Sequence, residues 1–129
     1  DRFQRDWSQT KETIMQIPHN KPIVIDSTGV GDAIVEDLQK HFHRMVGFKY
    51  TSTSKQQLME GLASAIHKGE IGFPEGHISQ ELGIFEYIFT STGVKYSAPN
   101  GFHDDCVNAL ALANRCRIRH KGYGEYHFI

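Results

Sequence analysis

PIVIDSTGVGDAIVED, Pro22 to Asp37, decides how this chain is read. Ile23, Val24 and Ile25 are three branched apolar residues suited to a short buried strand, and the run ends on an acid, Asp26. A Ser-Thr-Gly-Val-Gly turn follows, and Asp32 opens a segment with Ile34, Val35 and Leu38 at helical spacing. Open α/β sheets handle ligands at the carboxyl ends of their strands, which is where this pattern puts Asp26. A carboxylate left uncovered beside the backbone N–H groups of a glycine-containing turn suits a hard cation or a phosphate. The same residues also serve as caps, Asp26 or Ser27 for the turn and Asp32 for the helix. The rest of the chain has to choose between these readings.

Composition narrows the choice. A chain of 129 residues, 39% hydrophobic and 22% charged, fits one globular domain with a real core. No apolar run approaches the length of a membrane span, and the opening DRFQRDW is no signal peptide. A formal net charge of -1 excludes a generally basic nucleic-acid binder, though not a local basic face around an acidic metal site. Cys106 and Cys116 fall in one expected helix, too far apart along its axis to be bridged. They read as reduced thiols of a cytoplasmic protein. The eight histidines include no HExxH or CxxC partner, which argues against structural zinc.

Upstream of the strand, Ser8 or Thr10 is expected to start a helix through KETIMQI, broken at Pro18 to Asn20. The opening at Asp1 reads as a chain that begins partway into a fold. Downstream, Met45, Val46, Phe48 and Tyr50 predict a second strand, followed by the loop YTSTSK. Lys49 and Lys55 with the loop's hydroxyls could touch a phosphate backbone, or simply be solvated. Ser54 and Gln57 form a capping-box pattern ahead of a helix carrying Leu58, Leu62, Ala65 and Ile66. Ile71 to Pro74 suggests an edge strand at most. A helix is expected from Ile78 to Ile88 with Glu81 and Glu86 outward, then a hairpin around Ser91, Thr92 and Gly93. Arg115, Arg117, Arg119 and Lys121 read as a dipole-favoured basic end ahead of an aromatic tail.

The second informative stretch is Ala98 to Ala113, APNGFHDDCVNALALA. His103, Asp104 and Asp105 lead into a helix with a small-residue face. One acid would suffice for a cap; two side by side repel, and a bound cation relieves them. Two-metal phosphodiester hydrolysis needs carboxylates from separate parts of a chain to converge, and oxygen ligands favour Mg²⁺ or Mn²⁺ over zinc.

VIDSTGVGD, then FKYTSTSKQQLMEGLASAIHKGEIGFP, then SAPNGFHDDCVNALALA, in that order, resembles the C-terminal nuclease domain of the large terminase subunit of tailed bacteriophages and prophages. The resemblance implies an α/β, RNase H-like mixed sheet flanked by helices, and a metal-dependent endonuclease that cuts viral duplex DNA during packaging. By position it implies Asp26, Asp104 and Asp105 as catalytic metal ligands, with His103 as an auxiliary ligand or proton carrier. It implies Mg²⁺ or Mn²⁺ as cofactor, and as partners viral DNA, the terminase ATPase domain, the small terminase subunit and the portal, in the host cytoplasm. Residues 1–129 are then expected to be a single nuclease domain truncated at its N-terminus. The family's first-strand aspartate has no counterpart in context, and no G-x-x-x-x-G-K-[ST] loop for an ATPase motor is present. Two alternatives stand beside this one. DSTGVGD also resembles the anion-hole motif of ribokinase-like sugar kinases, with Asp32 as base. A non-catalytic module that docks DNA or a partner would use the acids as caps and solvated surface.

Overall fold

The computed structural model describes residues 5–29, 31–91 and 93–120. In chain order its elements are α1 (Trp7–Met15), β1 (Ile23–Asp26), α2 (Gly31–Gln39), β2 (Met45–Phe48), α3 (Ser52–His67), α4 (His77–Ile84), β3 (Glu86–Thr90), β4 (Gly93–Ser97) and α5 (Asp105–Arg119). Asp1, Phe3, Thr92, Lys121 and the aromatic tail lie outside the described residues.

β1 and β2 pair in parallel, Ile23 opposite Met45 and Asp26 opposite Phe48, with α2 as the crossover between them. Successive strand side chains point to opposite faces, so each face gets its own core. Ile23 and Met45 are buried with Ile14 of α1, Leu38 of α2 and Phe42, and Ile25 packs against them. Val24 and Phe48 turn the other way, onto Leu58, Met59 and Leu62 of α3 and Val107, Leu110 and Ala111 of α5. Helices thus cover both faces of the pair, and burying each such side chain contributes about 1.5–3 kcal/mol. Asp26 shares its parity with Val24, and alternation therefore aims it toward the α5 side. β3 and β4 form an antiparallel hairpin, Glu86 opposite Ser97. Among the described residues the two pairing directions thus sit in separate two-stranded sheets.

Several boundaries differ from expectation, each for a local reason. α1 begins at Trp7 because Asp6 is its cap, accepting the Gln9 N–H at 2.8 Å. α3 begins at Ser52, where Thr51 and Ser54 cap each other reciprocally, and not at the Ser54–Gln57 pair. It ends in a Schellman motif: Gly69, at φ +66°, donates to the Ile66 carbonyl and Glu70 to the Ala65 carbonyl. Residues 71–74 pair with no strand. α4 stops at Ile84, and Ile88 belongs to β3; a short apolar run fits either period, and here its β-prone composition prevails. Asp32 does not cap α2 but lies inside its first turn, in an ion pair with Lys49 at 2.8 Å. Glu81, expected to face outward, is buried.

Candidate functional site

The turn after β1 is fixed from three directions. Asp26 Oδ1 accepts the Thr28 N–H at 2.8 Å, and Thr28 Oγ1 accepts the Tyr50 N–H at 2.8 Å, which ties the turn to the residues beyond β2. Ser27 is buried, its N–H donating to the Phe48 carbonyl at 2.9 Å. Gly29 takes φ +85°, a conformation that costs other residues energy. Asp26 itself is exposed, so this scaffold aims a carboxylate without burying it.

The start of α5 is built differently from an ordinary capped helix. Asp104 occupies the cap position, yet its side chain makes no capping bond. The work falls to Glu81 of α4, whose Oε2 accepts the Cys106 N–H at 2.7 Å and the Val107 N–H at 3.2 Å. A carboxylate here also complements the positive end of the helix dipole. The Asp104 carboxylate is thereby left for other contacts, with Lys55 Nζ at 3.8 Å. Asp105 is largely exposed, with His103 Nδ1 at 4.0 Å.

A cavity of about 290 Å³ runs between β1 and α5, and Asp26, Tyr50, Asp105 and Asn108 supply its polar lining. Two buried polar atoms of these residues, the Tyr50 hydroxyl and Asn108 Oδ1, have no hydrogen-bond partner in the protein among the described residues. Asn108 Nδ2 donates to the Asp104 carbonyl at 2.9 Å, which orients the amide. Burial, then the negative charges of Asp26 and Asp104, push the Tyr50 phenol above its ordinary pKa, so it stays a donor. Phe48 packs edge-on against its ring at a centroid distance of 5.3 Å, and Lys55 Nζ lies 5.7 Å from the ring centroid.

Asp26 and Asp105, from distant segments, thus border one cavity, and Asp104 acts on the same phenol as Asp26. His103 and Lys55 stand beside the acids, whereas Lys49 is turned to Asp32 in a separate shallow pocket that includes Ser27 and Glu36. That ion pair also occupies the side chain that a kinase-like reading would need as base. Among the described residues, no group of three or more His, Cys, Asp or Glu side chains is close enough to hold a metal ion together. Sequence reasoning missed Tyr50, Asn108 and Glu81 as site residues. Tyr50 had a usable signal, since it lies two residues past Phe48 and so continues the face that Asp26 shares. Glu81 had none, because the helix it caps is distant in sequence.

Residues 4–114 match a family model described as the terminase RNaseH-like domain. The large terminase subunits of Thermus phage G20c and Thermus virus P23-45 are each 38% identical to this chain over 99 residues, 70% of this chain and 19% of theirs. Among solved structures, the magnesium-bound large terminase nuclease of phage G20c superimposes with a TM-score of 0.68 at 33% identity, over 84% of this chain and 58% of that one. Its cobalt-bound form gives a TM-score of 0.67 at 34% identity, with the same coverage. The chain spans about a fifth of the length of the large subunits and under two thirds of the solved nuclease.

Proposed function

This chain belongs to the terminase RNaseH-like domain family, and on that premise we propose that it contributes the DNA-cutting site of a phage or prophage large terminase. The reaction is divalent-cation-dependent hydrolysis of duplex DNA phosphodiesters. The observation that supports it most directly is the shared cavity of Asp26 and Asp105, with Asp104 alongside.

The donor set fits a hard cation. It consists of carboxylates and uncharged oxygens, and Mg²⁺ needs only one or two carboxylates when water fills its remaining positions. Mg²⁺ or Mn²⁺, bound through one or two of Asp26, Asp104 and Asp105 with water in its other positions, would supply an activated water and steady the leaving oxygen. The protein's own groups do the rest. Thr28 orients Asp26 through its N–H, and Glu81 holds the helix start that carries Asp104 and Asp105. His103, exposed beside Asp105, is the auxiliary ligand or proton carrier of this reading. Lys55 offsets the charge of an incoming phosphate.

Full activity draws on the further first-strand aspartate that the family resemblance implies. Asp6 does not supply it, being engaged as the cap of α1. Viral duplex DNA in the host cytoplasm is the proposed substrate, and the terminase motor domain, small subunit and portal are the proposed partners. Among the described residues no helix is long and apolar enough to cross a membrane.

Plasmid nicking in Mg²⁺ or Mn²⁺ tests the assignment, using a version that carries the family's first strand. Asp26→Ala and Asp105→Ala are each expected to lower cutting by at least about a hundredfold. Undiminished cutting by either variant refutes it.

A further inference from the structure

We propose that Arg115 and Arg119 of α5 grip a phosphate of the DNA backbone in the groove between α5 and α3, next to the acids but separate from them. The inference rests on the nuclease reading and deepens it by naming where the duplex is held away from the bond that is cut.

The basic end of α5 divides by contact. Arg117 is spent inside the protein, its guanidinium donating to Glu70 Oε2 at 2.8 Å and to Asn114 Oδ1 at 3.0 and 3.1 Å. Arg115 and Arg119 lie one helical turn apart and line a groove of about 180 Å³ with Phe48, Gln57, Leu58 and Gly61. Among the described residues neither has an acidic partner. Like charges at this spacing destabilise a helix, and an anion seated between them reverses the sign. Burial, then the charge of Arg119, lowers the Arg115 pKa, so the two guanidiniums act on each other.

The groove is also shaped for such a group. Arg115 is half-buried, its guanidinium 4.7 Å from the Phe48 ring centroid, which fixes the plane of the fork. A guanidinium held in this way matches two phosphate oxygens at once. Gly61 keeps the opposite wall open, since a Cβ there would meet nothing within 4 Å. Continuity with the acids favours DNA over an acidic protein segment. Phe48 packs against Tyr50 at 5.3 Å, and Lys55 Nζ lies 5.7 Å from the Tyr50 ring centroid and 3.8 Å from Asp104. The groove thus joins the acids through contacts each under 6 Å. Each strand of a duplex carries a phosphate about every 3.4 Å along its axis, so DNA laid over Asp104 and Asp105 brings others to the two arginines.

Fluorescence anisotropy with a labelled duplex in Ca²⁺ across a salt series tests this in the version used for nicking, with cutting in Mg²⁺ measured alongside. Wild type is compared with Arg115→Gln, Arg119→Ala and Gly61→Glu. The last puts a carboxylate into the groove where there is room and replaces a helix-interior glycine, so Tm should not fall. Each arginine variant is expected to bind roughly tenfold more weakly, equally on unrelated sequences, with the salt slope reduced by about one. Gly61→Glu should weaken binding as well. Wild-type affinity and slope in both Arg119→Ala and Gly61→Glu overturn the inference and leave the groove to an acidic protein segment. A wild type that binds duplex but does not cut overturns the nuclease reading, while weakened binding by the variants still upholds the groove.

Discussion

Gly31 has no space for a methyl group: a Cβ there would lie 2.5 Å from the Ser27 Cβ. Ser27 is buried and follows Asp26 directly, so any side chain at 31 has to push the turn that aims the acid. Gly31→Ala is expected to destabilise by about 1–3 kcal/mol, as overpacking does. Urea unfolding should show a lower midpoint at an unchanged slope. Gly47 is confined by the same serine, with a Cβ there 3.1 Å from Ser27 Oγ and 3.0 Å from Val35 Cγ2. At this scale the sequence was informative wherever chemistry is local. Asp26 at a strand end and the adjacent acids ahead of α5 announce themselves, because strand tips and helix starts have short-range signatures. Asn108 did not, since an amide in a helix looks like surface until the fold brings it to the cavity.

At the scale of elements, α5 depends on α4 for its first turn. The Glu81 carboxylate satisfies the N–H groups of Cys106 and Val107, and without it these two donors, one part-buried and one buried, lose their acceptor. Glu81→Ala is therefore expected to cost about 1–3 kcal/mol and to speed amide exchange at Cys106 and Val107. Glu81→Gln keeps an acceptor oxygen and should restore most of that protection. A second tie joins α1 to α2, where the ion pair with Lys11 holds Asp37 below the usual carboxylate pKa. Because the folded value lies below the ordinary 3.8, the pair's stabilisation is present above that pH. It is lost as pH falls through the folded value. Asp37→Asn should thus lower Tm at neutral pH and flatten its decline below about pH 4. The βαβ unit was legible from hydrophobic spacing, as were α3 and α5. The α4–β3 boundary was not, because Ile78 to Ile88 satisfies a helical stripe and only tertiary pairing with β4 shows where the strand begins.

For the whole molecule, the proposed function makes approach to DNA repulsive near the cavity, given the net charge of -1 and the exposed acids, until a cation neutralises them. Duplex affinity should accordingly be weak in EDTA and rise when Ca²⁺, a hard cation that also prefers oxygen ligands, is added. Once bound, log affinity should fall linearly with log salt, by about 0.9 for each phosphate neutralised. The two lysines, Lys49 after β2 and Lys55 in the first turn of α3, should then separate. Lys55 stands among the acids at the cavity, 3.8 Å from Asp104, so Lys55→Ala should reduce the salt slope by about one. Lys49 is turned to Asp32 at 2.8 Å in a different pocket, and Lys49→Ala should leave the slope nearly unchanged. Fluorescence anisotropy with a labelled duplex across a salt series in Ca²⁺ measures both. Equal losses from the two substitutions would place the DNA across both the Lys49–Asp32 pair and the start of α3 and not over the acids alone, since a path over Asp104 and Asp105 meets Lys55 and leaves Lys49 with Asp32.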